Sequence, residues 1–477
     1  MNSLAATLGR IVGDAHVIAR ATQLLVYRSD ALPGLQRTPA LAVFPGTRDE
    51  VIAVVRALAA AGASFVARGA GTGLSGGALA DDITLLGLHR LKRIIALDAD
   101  ARTATVEPGV VNATLTRAVA AHGLHYAPDP SSQTACTIGG NMAENAGGPH
   151  CLKYGVTLDH ALRATVVLPD GEVVTLDRGT TGGYDLLGAF IGSEGCFGVL
   201  LDVTVRLTPD PERVITLLAD FLRVRDAADA TSRIIAAGIL PAALELMDQP
   251  TIEAVESSVY AAGYPRDAAA VLLVEVDGAA AGLEDDAREV ERLCRAAGAR
   301  GVRVAHDAAE RARLWQGRKK AFGAMGRVAP HLVVQDAVVP RSMLVGLLDD
   351  IAAIGERHGV RICNVFHAGD GNLHPNIPYD AHDPEESARV HAAMQEIMTR
   401  CIDAGGTITG EHGVGLDKLP YMEQLFTADT LDAMCSLRAV FDPDRRANPG
   451  KVVPVRACKE WHGAAAARPA PHAKARA

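Results

Sequence analysis

Aromatic side chains make up only 4% of this 477-residue chain, so a hydrophobic fraction of 48% has to come mainly from aliphatic residues packed on close backbone contacts. Basic residues are in deficit: 47 Lys and Arg against 56 Asp and Glu give a net charge of −9. That balance excludes a nucleic-acid backbone or an anionic membrane surface as the main partner, because both require clustered cations. Long apolar runs are missing too. The window from Val51 to Leu58 is interrupted by Arg56, and the opening residues have no basic region followed by a long apolar one, which argues against an integral membrane segment and an export signal. The eight cysteines (Cys136, Cys151, Cys196, Cys294, Cys363, Cys401, Cys435, Cys458) include no C-x-x-C pair. Neither a disulfide framework nor an iron–sulfur cluster nor a Cys-rich zinc site is supported, and the expectation is a cytoplasmic protein.

What is present is length enough for two or three domains, each burying its own core. Thr47 and Glu50 carry a capping-box signature ahead of Val51, Ile52, Val54, Val55 and Leu58, which predicts a helix that stops at Gly62. Runs at 64–67, 83–88, 94–98 and 103–107 read as strands. The last three follow one another with no helix between, which implies antiparallel or mixed pairing and an α+β fold. After Pro209-Asp210-Pro211, strands (214–221, 271–276, 302–305) alternate with amphipathic helices (227–237, 285–297, 308–325), predicting a separate sheet with helices on one side. Turn chemistry returns from Asp442 to Lys451, where the chain is expected to pack back on the first section. The low-complexity residues from Gly463 to Ala477 read as a disordered tail.

Residues 68–77 contain Gly71-x-Gly73-x-x-Gly76 after a strand, yet no helix follows, as a dinucleotide fingerprint requires. Two readings stand: a nest of backbone N–H groups for phosphate oxygens, or a flexible surface turn. Further glycine clusters, Pro128 to Asn141 with Gly147-Gly148, and Gly192 to Gly195, suggest a long ligand lying against backbone. FAD has that length.

The strongest local signal is Val365 to His374, in which Asp370-Gly371 reads as a type I′ turn. Counting outward pairs His367 with His374, and opposed residues have Cβ atoms about 4.5–5.5 Å apart, close enough to chelate one ion. The alternative is two histidines on a polar sheet face. Glu411 would supply a third ligand, with zinc, iron or manganese suited to the set, and His412 a general base. Neighbours in an extended strand point apart, so this requires a loop, which Gly410, Gly413 and Gly415 allow. The pair also reads as ordinary polar loop residues.

Together these loops resemble the FAD-linked subunit of glycolate oxidase and its relatives, the D-lactate and D-2-hydroxyglutarate dehydrogenases. The resemblance rests on Arg68 to Gly77, Tyr126 to Ser132, Gly139 to Gly147, Gly192 to Gly195, His367 to His374, Gly410 to Gly415 and Asn448 to Lys451. It implies a vanillyl-alcohol-oxidase (PCMH-type) FAD-binding domain at 1–209 and a ferredoxin-like cap with the substrate and metal site at 210–410. A segment at 411–460 would return to the FAD domain, ahead of a tail at 461–477. Cofactor contacts would fall on Arg68, Gly69, Ala70, Gly71, Thr72, Gly73, Leu74 and Ser75; on Pro128, Asp129, Ser131 and Ser132; on Gly139, Gly140, Asn141, Asn145 and Gly147; on Gly192, Glu194, Gly195 and Val199; and on Asn448. Thr72 stands where covalent flavoproteins of this fold carry a histidine, so non-covalent FAD is implied.

The implied reaction oxidises a small 2-hydroxy acid, glycolate or D-lactate, to the 2-oxo acid. His367, His374 and Glu411 hold a divalent ion, His412 takes the hydroxyl proton as hydride moves to flavin N5, and Arg318, after Trp315, grips the substrate carboxylate by a bidentate contact. Arg318 also reads as a solvated helix charge beside Arg313 and Lys319. Phe322, where a hydroxyl residue would hold a larger acid, leans toward the small substrates. A second FAD-domain subunit, an iron–sulfur subunit, a quinone or a cytochrome are the electron routes the resemblance allows, with peripheral attachment to the inner face of the membrane through such a partner. Rival readings are a D-2-hydroxyglutarate-type dehydrogenase, a metal-dependent hydrolase, which leaves the glycine clusters unexplained, and an inactive flavin subunit serving assembly.

Overall fold

The computed structural model describes residues 2–179 and 183–454. The expected tail and the end of the returning segment lie outside the described residues. The first section holds two main sheets. Its four-stranded sheet orders Val17–Ile18, Leu41–Val43, Thr84–Gly87 and Phe65–Arg68. Thr84–Gly87 runs parallel to both of its neighbours. The missing helix therefore does not force antiparallel pairing here: the crossover from Arg68 to Thr84 is made by the glycine loop itself. Ile94–Asp98 and Thr103–Val106 do pair antiparallel, at one edge of a five-stranded sheet. The helix Arg48–Ala60 starts on Thr47, whose side chain accepts the Glu50 N–H at 3.2 Å, and it buries Val51, Val54, Val55 and Leu58. Glu50 reaches back to the Gly46 N–H at 2.6 Å rather than to that of Thr47, so the box closes one residue early.

The second section is built on a nine-stranded sheet. Val224–Ala236, Ala280–Ala296, Leu344–His358 and Pro384–Asp403 cover one face; Gln249–Glu256, Ala308–Lys319 and Ala321–Met325 cover the other. This corrects the one-sided arrangement expected from the sequence. Side chains alternate across a strand, and Leu272 and Val274 enter one core while Val271 and Leu273 enter the other. An unbroken apolar run such as 271–274 is what a strand buried on both faces needs. The helix expected over 308–325 is broken at Lys320, whose φ of −105° and ψ of 8° turn the chain.

After Gly413 the chain touches both sections. Leu416 and Asp417 donate their N–H groups to the Ser75 carbonyl, whereas Met422 and Leu431 belong to the core of the second section. Phe441 stacks on Phe197 with centroids 4.5 Å apart, and Ala447 then bridges to Phe65. Asn448 donates from Nδ2 to the carbonyls of Gly77 at 3.0 Å and Glu194 at 2.6 Å, and Lys451 Nζ caps the carbonyls of Gly77 and Leu79.

Candidate active site

A cavity of about 750 Å³ lies between the two sections. One wall is rich in glycine and small residues: residues 68–74, Ser131, Ser132, Gly139, Gly140, Asn141, Glu194 and Gly195. Gly71 sits at φ +71°, where an added Cβ would strike the Arg68 guanidinium. That guanidinium folds under the loop and donates to the Ser29 carbonyl at 2.7 Å, so Arg68 shapes the wall from behind. Gly139 and Gly140 lie in a helix, Ile138–Glu144, started by Thr137. Here glycine serves close approach, since a Cβ at Gly139 would come within 2.6 Å of Pro108 Cβ.

Eight residues expected at the cofactor stand outside the lining: Ser75, Pro128, Asp129, Asn145, Gly147, Gly192, Val199 and Asn448. Several support the wall instead. Pro128 accepts the Asn112 amide at 2.8 Å, Asn145 accepts the Leu158 N–H at 2.8 Å, and Ser75 and Asn448 tie in the returning segment as above. Asp129 is taken up by His150 at 3.0 Å and Lys319 at 3.2 Å. Val199 is core, because the strand's alternation turns it away and leaves Gly198 and Leu200 at the cavity. Glu194 lines the cavity, but its carboxylate accepts the N–H groups of Val414 at 2.6 Å and Gly415 at 2.7 Å.

The opposite wall is made of side chains, among them Tyr260, Arg318, Phe322, His331, His367, His374, Glu411 and His412. Here the expected hairpin register is wrong. His367 pairs with Asn372, and Gly371 has positive φ while Asp370 does not, so the turn is not type I′. The two imidazoles meet nevertheless, with centroids 5.2 Å apart and rings at 88°. His367 Nδ1 bonds Glu245 Oε1 at 2.7 Å and His374 Nδ1 bonds the Gln335 carbonyl at 3.0 Å. Both Nε2 atoms then face Glu411 Oε1, each at 3.4 Å. The three donor atoms lie within 4.8 Å of one another, a set that fits one divalent ion, with outer nitrogens already committed as metal-binding histidines require. Burial alone would lower the His367 imidazole, yet Glu245 and Glu411 outweigh it and hold it well above its ordinary range. Burial would likewise raise Glu411, but the two imidazoles hold its carboxyl far below.

Glu411 and His412 belong to a loop wrapped around Asp336, which removes the strand objection. Asp336 Oδ2 accepts the N–H groups of Gly410, Glu411 and His412 at 2.9, 3.1 and 2.8 Å and the Thr409 hydroxyl at 2.7 Å, and pairs with buried Lys418 at 3.1 Å. Despite complete burial, Lys418, His412 and His374 hold the Asp336 carboxyl well below its ordinary range. His412 stacks on His374, centroids 5.0 Å apart, and burial pushes it down to about 4. Its Nδ1 is buried and has no hydrogen-bond partner among the described residues.

Arg318 is no solvated helix charge: it is 1% exposed. Its Nε donates to Glu245 Oε2 at 2.6 Å and its Nη2 lies 2.5 Å from the same oxygen, while Nη1 is buried and unpartnered. The side-on edge of the guanidinium is taken, so a bidentate contact has to come from its end. Glu245 and Asp336 were missed in the sequence. The available signal was a single acid inside an apolar run, Leu244-Glu245-Leu246 and Val334-Gln335-Asp336-Ala337-Val338, since a buried charge requires a partner.

The model of FAD linked oxidases, C-terminal domain, matches residues 210–452, and that of an FAD binding domain matches 39–177. The chain is 45% identical over 443 residues to glycolate oxidase subunit GlcD of Escherichia coli (strain K12), covering 92% of this chain and 89% of that protein. It is 41% identical over 434 residues to the GlcD subunit of Bacillus subtilis (strain 168), with coverage of 90% and 92%. A D-lactate dehydrogenase of Anaerostipes hadrus is 31% identical over 425 residues, with coverage of 87% and 89%. Among solved structures, substrate-bound p-cresol methylhydroxylase superposes with a TM-score of 0.79 at 15% identity, covering 95% of this chain and 97% of that one, a likeness of fold alone.

Proposed function

This chain belongs to the FAD-linked oxidase family, and from that premise we propose that it oxidises a small 2-hydroxy acid, glycolate or D-lactate, to the 2-oxo acid. The observation that carries the reading is the convergence, at one cavity, of a backbone cradle with His367, His374, Glu411, His412 and Arg318. FAD, bound non-covalently against the glycine wall, supplies the two-electron acceptor. His367, His374 and Glu411 would hold a divalent ion, which would supply Lewis acidity toward the hydroxyl.

The chain's own residues do the rest. Arg318 meets the substrate carboxylate through the end of its guanidinium, where Nη1 is unpartnered, by a charge-assisted contact. His412, whose buried Nδ1 is unpartnered, accepts the hydroxyl proton. Phe322 lines the cavity with an apolar ring, which favours a methyl group or hydrogen over a distal carboxylate and disfavours a 2-hydroxyglutarate-sized acid. Electrons leave through a partner, in keeping with the relatives named as subunits. No helix among the described residues is long and apolar enough to cross a membrane.

The test is the visible spectrum of the purified protein before and after anaerobic addition of glycolate, D-lactate and L-lactate in turn. Bleaching by glycolate or D-lactate but not L-lactate is expected. A colourless protein that also fails to take up added FAD would falsify the reading and favour a hydrolase.

A further inference from the structure

Glu245 sits in the middle of the strand Ala243–Asp248, with Leu273 opposite it on one neighbouring strand and His367 opposite it on the other, and is 0% exposed. Its two oxygens serve different masters. Oε1 takes His367 Nδ1 at 2.7 Å; Oε2 takes Arg318 Nε at 2.6 Å and Nη2 at 2.5 Å. The strand register explains why one carboxylate can reach both, since Glu245 lies directly across from His367 while Arg318 closes over the sheet from the helix Ala308–Lys319.

We propose that Glu245 is a positioning residue that joins the metal-binding and carboxylate-binding halves of the site, fixing the His367 ring for the ion and the Arg318 guanidinium for the substrate through one side chain. This rests on the functional reading above. With Nδ1 engaged by a carboxylate, His367 can turn only Nε2 to Glu411, which sets both the ring's orientation and its strength as a donor. With Nε and Nη2 engaged, Arg318, a residue of the cavity lining, is left with Nη1 unpartnered. A neutral amide at position 245 has one acceptor oxygen and a donating NH2 group, so it can satisfy His367 or Arg318 but not both.

The test uses the full chain loaded with FAD. Zn²⁺ affinity is read by competition with a chromogenic chelator. Carboxylate affinity is read from the flavin absorbance change on titrating propionate, which has the carboxylate and lacks the hydroxyl. Glu245→Gln is expected to lower Zn²⁺ affinity by about 10–100-fold and to weaken propionate binding in the same protein, with FAD content retained and the thermal unfolding temperature lowered, because buried Arg318 loses its carboxylate. Loss of neither affinity, or of only one, in a folded variant overturns the proposal and leaves the functional reading standing. An unaltered chain that takes up no Zn²⁺ overturns the metal reading and this proposal with it. Where Glu245→Gln gives no folded holoprotein, Glu245→Asp is measured the same way: it keeps the charge but is one methylene too short to span both partners, and the same paired loss is expected.

Discussion

The two walls of the cavity solve the problem of holding a ligand in opposite ways. The glycine wall offers main chain, with side chains such as Arg68 and Asn448 turned behind it as struts. The facing wall offers side chains, each oriented by another buried charge: His367 by Glu245, Arg318 by Glu245, the Glu411–His412 loop by Asp336. A backbone wall is specific in shape and is damaged by added bulk. A wall of paired charges is specific in chemistry and is damaged by subtraction, because removing one partner strands the other in a medium that solvates it poorly.

That contrast can be broken one wall at a time. The largest effect is expected from His412→Gln, which removes the proton acceptor: flavin reduction by substrate in stopped flow slows by about 10²–10⁴-fold, with FAD content intact. Asp336→Ala leaves Lys418 unpaired and the loop's N–H groups without their acceptor, and urea unfolding is expected to show a loss of about 3–5 kcal/mol. Gly71→Ala attacks the other wall, at a φ of +71° and against Arg68. A left-handed alanine costs about 1–2 kcal/mol, and the variant should retain less FAD while taking up Zn²⁺ normally; equal loss of both would erase the distinction between the walls.

A separate effect concerns the seam between the sections. His150 lies between Asp129 at 3.0 Å and Glu275 at 3.5 Å, and although burial opposes it, the two carboxylates raise the imidazole to about 10. Its folded value is raised above the unfolded one near 6.5, so the stability it contributes is fully present below about pH 6.5 and is lost as pH rises through about 10. His150→Gln should flatten that part of the stability–pH curve in urea titrations, and an unchanged slope would remove His150 from the seam.

Much of this was legible in the residues. Thr47 and the apolar spacing after it mark the first long helix, and the ligand motifs stand in short runs dense with glycine and histidine. What the residues do not display is anything decided by distant pairing. The hairpin register at His367 is set by the loop 368–371 and by the strand Ala243–Asp248 alongside, not by the local turn alone. Helices on both faces of the second sheet follow from contacts across hundreds of residues, and Glu245 and Asp336 gain their roles only when Arg318, His367 and Lys418 arrive beside them.

The returning segment gives the molecule a clock. Asn448 and Lys451 grip carbonyls of Gly77, 371 and 374 residues earlier in the chain, and Asn448 also ties down Glu194. During synthesis the glycine cradle stays unfastened until those late residues have left the ribosome, whatever the second section has already achieved. The wall that folds from the earliest residues is thus fastened by nearly the last ones, and a chain cut short before Asn448 lacks both ties.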